Sequence, residues 1–149
     1  MKLIETVLVY IIKDDKVLLI HKTKNDMNQG KYLGIGGKIK KGESIEDALI
    51  RETKEETNLD LLSYEHVGHV FFKNIDYEEK IYLFRGDAFK GDLKASKEGT
   101  LHWINIKDMF KLPMWEGDKY FLNKLFTKFS FFEIVLVYEN DVLVDTIDL

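Results

Sequence analysis

The sequence has no cysteine, a single proline and fewer basic than acidic residues. The absence of cysteine excludes disulfides, thiolate metal ligands and cysteine nucleophiles. One proline and ten glycines exclude collagen-like and proline-rich material. Lys and Arg number 22 against 26 Asp and Glu, for a net charge of −4. This balance disfavours binding to bulk nucleic acid or to an anionic membrane.

Long hydrophobic runs are also missing. The apolar run over residues 7–12 is far too short to span a bilayer, and a polar turn follows it at residues 13–16. Lys2 precedes an apolar stretch as in a signal peptide, but Glu5 interrupts that stretch and no small-residue cleavage site follows. We therefore expect a cytoplasmic protein that does not enter the membrane.

The composition is typical of a globular chain. Its 149 residues are 45% hydrophobic, 13% aromatic and 32% charged, enough for one domain with a packed core. No Ser/Gly/Pro-rich linker or internal repeat divides the chain, so we predict a single domain over residues 1–149. The sequence leaves open whether the protein is a monomer or a homodimer.

Strand patterns surround a few helical patterns. Runs of β-branched and aliphatic residues predict strands at residues 6–12, 17–21, 67–72, 81–84, 101–104, 131–138 and 142–147. Ser44 caps a predicted helix that Asn58 ends, Asn105 precedes a short helical turn, and Asp118 could cap a last helix. Because strands and helices do not alternate regularly, we expect an α/β (α+β) fold, a mixed sheet packed with helices.

The helix predicted over residues 44–57 carries the sharpest chemical signal. At about 100° per residue, its apolar stripe continues in the second half as Glu52, Glu55 and Glu56. Like charges at these spacings repel, and partial burial makes them costlier unless a cation lies among them. An all-oxygen ligand set suits Mg²⁺ or Mn²⁺. The same string also occurs on solvated helices, but the preceding Gly36-Gly37 allows a phosphate to approach the backbone closely and favours a metal–phosphate site.

These residues resemble a known signature, the Nudix box. The matching positions are Gly37-x5-Glu43-x7-Arg51-Glu52-x2-Glu55-Glu56. The sequence departs from the box at Thr53, where an aliphatic residue is usual, and at Asn58, where Gly is usual. Asn also adopts the left-handed conformation that ends a helix, so Asn58 can serve the same backbone role.

Segments outside the box are similar to the MutT-type branch, above all to the animal oxidised-purine nucleoside triphosphatases. They are Thr6-Val-Leu-Val, residues 30–38, Glu98 five residues before Trp103, residues 114–121 and Asp145-Thr-Ile. The resemblance implies the Nudix fold, in which helices sandwich a mixed sheet. It also implies Mg²⁺-dependent hydrolysis of a small nucleotide, a nucleoside diphosphate linked to another group. A MutT-type enzyme converts a nucleoside triphosphate to the monophosphate and pyrophosphate.

The resemblance also implies catalytic roles. The implied metal ligands are the backbone carbonyl of Gly36 and the carboxylates of Glu52, Glu55 and Glu56. The resemblance also implies that Glu52 either acts as the base for the attacking water or orients that base. Arg51 would hold a box carboxylate in place, Glu43 would support the structure, and Glu98 would be a remote base or ligand. An exposed turn is the alternative interpretation of Glu98.

Substrate-binding roles follow in the same way. Lys38 would face the phosphates, Phe72 would form a wall of the base pocket, Trp115 would stack on the base, and Asp118 would bind the base edge. Core packing remains an alternative for Phe72 and Trp115, and a helix cap remains one for Asp118.

Two positions depart from the purine-reading pattern of the animal enzymes. Leu33 stands where they have an Asn that reads the purine edge, and Gly117 stands where they have the first of two pocket aspartates. We therefore expect purine preference but weak discrimination between oxidised and normal guanine. The alternatives are a Nudix hydrolase of ADP-ribose, a dinucleoside polyphosphate or an RNA 5′ end, and a weakly active nucleotide-binding module.

Overall fold

Residues 2–127 and 130–149 are described by the computed structural model. They form nine strands, two α-helices and one 3₁₀ helix. The strands are β1 Lys2–Lys13, β2 Lys16–Lys22, β3 Tyr32–Leu33, β4 Ile35–Lys38, β5 Asp60–Asn74, β6 Tyr77–Lys90, β7 Gly99–Asn105, β8 Phe132–Glu139 and β9 Val142–Asp148. The helices are α1 Ile45–Thr57, the 3₁₀ helix Ile106–Lys111 and α2 Glu116–Thr127. No helix of these residues is long and apolar enough to cross a membrane.

The strands form a mixed sheet in the order β3-β2-β1-β6-β5-β8-β9, with β4 added to β1 and β7 added to β2. Strand β1 runs parallel to β6 and β5 runs parallel to β8, whereas the other pairs are antiparallel. The first two and the last two predicted strands pair as antiparallel hairpins, β1–β2 and β8–β9, and each hairpin turns through a residue with positive φ, Asp14 at 57° and Asn140 at 56°. Asp and Asn tolerate this conformation better than most other side chains.

A hydrophobic core lies on each side of β1. Because side chains alternate along a strand, Val7 and Val9 point to one face and Tyr10 to the other. Val7 and Val9 pack with α1 residues such as Leu49, whereas Tyr10 packs with α2 residues such as Phe121. The predicted architecture of a mixed sheet between helices is therefore confirmed.

Helix α1 begins and ends where the sequence predicts. Ser44 Oγ accepts a hydrogen bond of 3.1 Å from the backbone N–H of Asp47, and Asn58 adopts the left-handed conformation with φ of 68°. The prediction that Asp118 caps the last helix is wrong, because α2 begins at Glu116 and Asp118 lies in its first turn. Asn105 precedes the 3₁₀ helix as expected, although its side chain makes no capping hydrogen bond.

The glycine-rich stretch at residues 31–40 contains the short strands β3 and β4, which its composition does not predict. Gly36 of β4 pairs with Leu8 of β1, and a Cβ at Gly36 would overlap the carbonyl of Val7. Glycine therefore allows β4 to lie flat on β1 and brings its backbone against the end of α1.

Candidate active site

Arg51 joins the loop before α1 to the helix itself. Its Nε and Nη2 donate to the carboxylate of Glu43 at 2.7 and 2.9 Å, and Nη2 also donates to the backbone carbonyl of Lys38 at 3.1 Å. The hydrogen bonds from Arg51 lower the pKa of Glu43 to about 2. Glu43 is thus an ionised anchor for the loop, in agreement with its expected structural role.

The same guanidinium also contacts two of the three predicted metal ligands. Nη1 of Arg51 donates to Glu52 Oε1 at 2.8 Å and to Glu55 Oε2 at 3.2 Å. Within the described part of the chain, the second oxygen of each carboxylate accepts no hydrogen bond. Arg51 therefore holds the two carboxylates side by side and leaves one oxygen of each available.

Glu52 lies directly on the backbone of Gly37. A Cβ at Gly37 would be 2.5 Å from the carboxyl carbon of Glu52, a separation that real side chains do not reach. Burial raises the pKa of Glu52, and the charges of Glu55 and Glu43 add to this effect while Arg51 opposes it. The glycine of the box is thus explained by the carboxylate that packs against it.

Glu56 is the most buried of the three carboxylates. It is 7% exposed, and its Oε2 is buried without a hydrogen-bond partner. Burial, aided by the charges of Glu52 and Glu98, raises the pKa of Glu56 to about 8, against the opposing charge of Lys22 and a hydrogen bond from the backbone of Gly36. A buried carboxyl oxygen without a partner is unfavourable, and a cation is one partner that would satisfy it.

The donor set fits a hard divalent cation. No three His, Asp or Glu side chains among residues 2–127 and 130–149 converge on one point as they stand. The carboxylate of Glu52 interacts with those of Glu55 and Glu56, the backbone of Gly36 contacts Glu56, and all of these groups offer oxygen donors. Oxygen ligands of this kind suit Mg²⁺ or Mn²⁺, and the partnerless Oε2 of Glu56 is the observation that supports a cation there.

Glu98 lies beside this cluster in an ion pair. Its carboxylate accepts from Lys22 Nζ at 2.8 Å and from Lys24 Nζ at 3.3 Å, and the hydrogen bond from Lys22 lowers the pKa of Glu98. Both residues lie close enough to Glu56 to change its pKa: the charge of Lys22 lowers it and that of Glu98 raises it. Glu98 is therefore near the box carboxylates and ionised, and its role as base or ligand stays a prediction.

A cavity of about 290 Å³ is lined by Glu56, whereas Glu52, Glu55 and Glu98 lie outside its lining. Its lining joins the box residues with all four residues expected to bind substrate: Gly36, Gly37, Glu56, Lys38, Phe72, Trp115 and Asp118. Leu33 also lines it and provides no hydrogen-bonding side chain. Gly117 is buried, and its N–H donates to the hydroxyl of Tyr138 at 2.7 Å.

Trp115 both lines the cavity and packs in the core. It is 8% exposed, its ring meets Tyr138 edge-on at 5.6 Å, and its Nε1 donates to Asn28 Oδ1 at 2.7 Å. The ammonium of Lys31 lies 4.3 Å from the centre of the indole ring. Packing and substrate contact are thus compatible for this residue, and a base stacking on the covered face would displace Lys31.

Asp118 is a partly buried carboxyl group of the cavity. Burial raises its pKa to about 8, the negative charge of Glu79 adds to the rise, and Lys31 opposes it. At neutral pH the carboxyl is therefore mostly protonated and can donate a hydrogen bond as well as accept one.

Several polar residues of the cavity were missed by the sequence analysis. They are Thr6, Lys22, Asn28, Tyr77 and Glu79. A signal for Glu79 existed, because period-two alternation puts this acidic residue on the same strand face as the apolar Ile81 and Leu83. No comparable pattern indicates Asn28, which lies in an irregular segment between β2 and β3.

The model of the NUDIX domain family matches residues 2–125 of this chain. A Nudix hydrolase of Bacillus subtilis, YvcI, is 35% identical over 116 residues, 74% of this chain and 71% of the relative. The oxidized purine nucleoside triphosphate hydrolase of Danio rerio is 31% identical over 140 residues, 93% of this chain and 89% of the relative. The crystal structure of a MutT protein from Bacillus halodurans matches with a TM-score of 0.89 and 25% identity over 97% of both chains.

These matches agree with the position of the box on α1 and with the mixed sheet beneath it. The family generally uses a divalent metal. The chain therefore belongs to the Nudix hydrolases, enzymes that act on phosphoanhydride bonds of nucleoside diphosphate derivatives.

Proposed function

We propose that the protein is a Mg²⁺-dependent nucleoside triphosphate pyrophosphohydrolase that acts on purine nucleotides, 8-oxo-dGTP among them, and releases the monophosphate and pyrophosphate. One observation carries this proposal. A single cavity joins the buried carboxyl of Glu56 to Trp115 and Asp118, so one nucleotide can contact the box and the base-binding residues together.

The box residues would hold the metal. Glu52, Glu55, Glu56 and the carbonyl of Gly36 are the ligands we propose, and Mg²⁺ bound there supplies neutralisation of phosphate charge and activation of water. Mn²⁺ is an expected substitute because it prefers the same ligands. Arg51 keeps Glu52 and Glu55 in place through its hydrogen bonds at 2.8 and 3.2 Å.

The other predicted residues would bind and orient the substrate. Lys38 lines the cavity next to the box, and its positive charge would attract the phosphates. Phe72 and Trp115 would pack on the base and exclude water, and Asp118 would hydrogen-bond its edge. Glu98 is ionised and near Glu56, so it can accept a proton from the attacking water.

The names of the relatives favour a triphosphate substrate without fixing its base. The Danio rerio relative is named for oxidized purine nucleoside triphosphates, whereas an Escherichia coli relative with 27% identity over 118 residues is named CTP pyrophosphohydrolase. Other diphosphate substrates, such as ADP-ribose or an RNA 5′ end, are the second candidate. The complete set of box carboxylates argues against a mere binding module.

A panel of nucleotides tests the proposal. The purified protein with Mg²⁺ is offered normal and 8-oxo purine triphosphates, pyrimidine triphosphates and ADP-ribose, and the products are separated by ion-exchange chromatography. We expect monophosphate and pyrophosphate from purine triphosphates, with similar rates for oxidised and normal guanine because Leu33 has no polar group to read the difference. Turnover restricted to ADP-ribose, or release of orthophosphate and a nucleoside diphosphate, would contradict the proposal.

A further inference from the structure

Glu79 is an acidic side chain on the face of β6 that also carries Ile81 and Leu83. Leu83 and Ile81 of β6 belong to the core on the α2 side, and Glu79 follows them at the same period-two spacing. Its side chain lines the cavity together with Trp115 and Asp118. Hydrophobic burial therefore does not explain a glutamate at this position.

Two hydroxyl groups hold the Glu79 carboxylate. Thr6 Oγ1 of β1 donates to Oε2 at 2.7 Å, and the Tyr77 hydroxyl donates to Oε1 at 2.8 Å. Burial and then the negative charge of Glu79 raise the pKa of the Tyr77 phenol, which keeps this hydroxyl a donor. Each oxygen of the Glu79 carboxylate thus accepts one hydrogen bond from a neighbouring hydroxyl.

The arrangement leaves Glu79 able to accept two more hydrogen bonds. An ionised carboxylate offers about four acceptor positions, and the two hydroxyls occupy two of them. Asp118, whose charge interacts with that of Glu79, is mostly protonated at neutral pH and can donate. Glu79 can thus accept hydrogen bonds from two N–H groups of a ligand, and Asp118, which lines the same cavity, can donate one.

Only guanine among the common bases matches this arrangement. Its Watson–Crick edge carries two adjacent N–H donors, the ring N1–H and the exocyclic 2-amino group, next to the acceptor O6. Adenine, cytosine and uracil each present only one donor group on that edge. Oxidation at C8 leaves the guanine edge unchanged, so a residue that reads it is indifferent to oxidation.

We propose that Glu79 is a specificity-determining residue that selects a guanine-type base by accepting hydrogen bonds from N1–H and the 2-amino group. This inference rests on the proposed function, because it takes the base of the nucleotide to lie in the part of the cavity that Glu79 and Asp118 line. Charge-assisted, bidentate hydrogen bonds of this kind are stronger and more selective than single neutral ones.

The test compares the binding of GMP and IMP, which differ only in the 2-amino group. Isothermal titration calorimetry in Mg²⁺ should give a Kd for GMP about 10-fold lower than that for IMP with the natural protein. In Glu79→Gln the ratio should fall to about 1–2, mainly because GMP binds more weakly. Glu78→Gln is the matched control, because Glu78 is the neighbouring strand residue, pairs with Lys73 at 3.9 Å, and does not line the cavity.

Equal affinity of the natural protein for GMP and IMP overturns the proposal, as does a preference for AMP or no binding of GMP. These binding measurements use only the natural protein, so they remain decisive even if Glu79→Gln does not fold. An unchanged GMP to IMP ratio in folded Glu79→Gln also overturns it. Turnover of dGTP is measured in parallel, and a natural protein that selects GMP but hydrolyses no triphosphate contradicts the proposed function while supporting the role of Glu79.

Discussion

At the scale of single residues, Glu56 is a carboxyl group whose surroundings disfavour its charge. It is buried, carries a partnerless Oε2, and lies near the negative charges of Glu52 and Glu98. Glu56→Gln should lower turnover by about 100-fold or more, because it removes a proposed metal ligand. Its melting temperature without metal should hold or rise, because Gln has no charge to lose when it is buried among Glu52 and Glu98.

Turnover assays and thermal unfolding in chelator check both parts of this prediction. A Glu56→Gln protein that is largely unfolded, and whose folded fraction is fully active, would show that Glu56 serves the structure instead. Glu55→Gln is a useful companion variant, because the Glu55 side chain is 55% exposed and its loss should not disturb packing.

Asp118 gives the stability of the protein a predicted pH dependence. Its pKa is about 8 in the folded protein, above the usual value of 3.8. The folded state therefore binds more protons than the unfolded state between about pH 4 and pH 8, and the free energy of unfolding falls as the pH rises through that window. Asp118→Asn should remove this contribution, so the natural protein should lose stability relative to the variant up to about pH 8 and no further. Denaturant unfolding at a series of pH values measures the difference, and a difference that is constant with pH contradicts the assignment.

Trp115 is predicted to contribute to both substrate affinity and stability. Trp115→Ala should raise KM for all nucleotides and destabilise the fold by about 3–5 kcal/mol, because the ring is almost fully buried. Trp115→Phe keeps an aromatic face but loses the hydrogen bond to Asn28, so it should retain most of the affinity. Steady-state kinetics and denaturant unfolding check the pair, and an unchanged KM in Trp115→Ala would leave this residue a core residue only.

At the scale of elements, the contact between β4 and α1 couples the glycine strand to the carboxylates. Gly37→Ala should lower turnover strongly, because the new methyl group would displace the Glu52 carboxylate that lies 2.5 Å away. Ser44→Ala is the contrasting variant, since it removes only the N-cap of α1 and should cost about 1 kcal/mol of stability with little change in turnover. The same turnover and unfolding assays on both variants check this, and equal activity in Gly37→Ala and the natural protein would contradict the coupling.

Elements with local signals could be predicted from the sequence. The helix α1 is defined by Ser44 and Asn58, and the hairpins are defined by turns at Asp14 and Asn140. The start of α2 was misplaced, because Asp118 has the residue type of a cap but lies inside the first turn. Residue type alone does not decide whether Asp118 is the N-cap of α2 or lies in its first turn.

The contacts inside the cavity could not be predicted from local sequence, because they depend on pairing between distant parts of the chain. Glu79 meets Thr6 only because β6 runs parallel to β1, with Thr6 opposite Ile81 in the register. Asn28 meets the indole of Trp115 across 87 positions of sequence. The resemblance provided the box and the candidates Trp115 and Asp118, but it contained no information on these partners.

At the scale of the whole molecule, the sheet and its two cores bring the box on α1 and the first turn of α2 to one cavity. That residues 1–149 form one domain, that the protein is cytoplasmic, and that it is a monomer or homodimer stay predictions. The central claim is that this cavity hydrolyses nucleoside triphosphates with a divalent cation held by box carboxylates.

The most direct test is dGTP hydrolysis by the purified protein before chelation, in excess chelator, and after Mg²⁺ or Mn²⁺ is restored. The all-oxygen donor set predicts that chelation abolishes release of pyrophosphate and that either metal restores it. Glu56→Gln, assayed alongside, should stay inactive after metal is restored. Full activity in excess chelator would contradict the account.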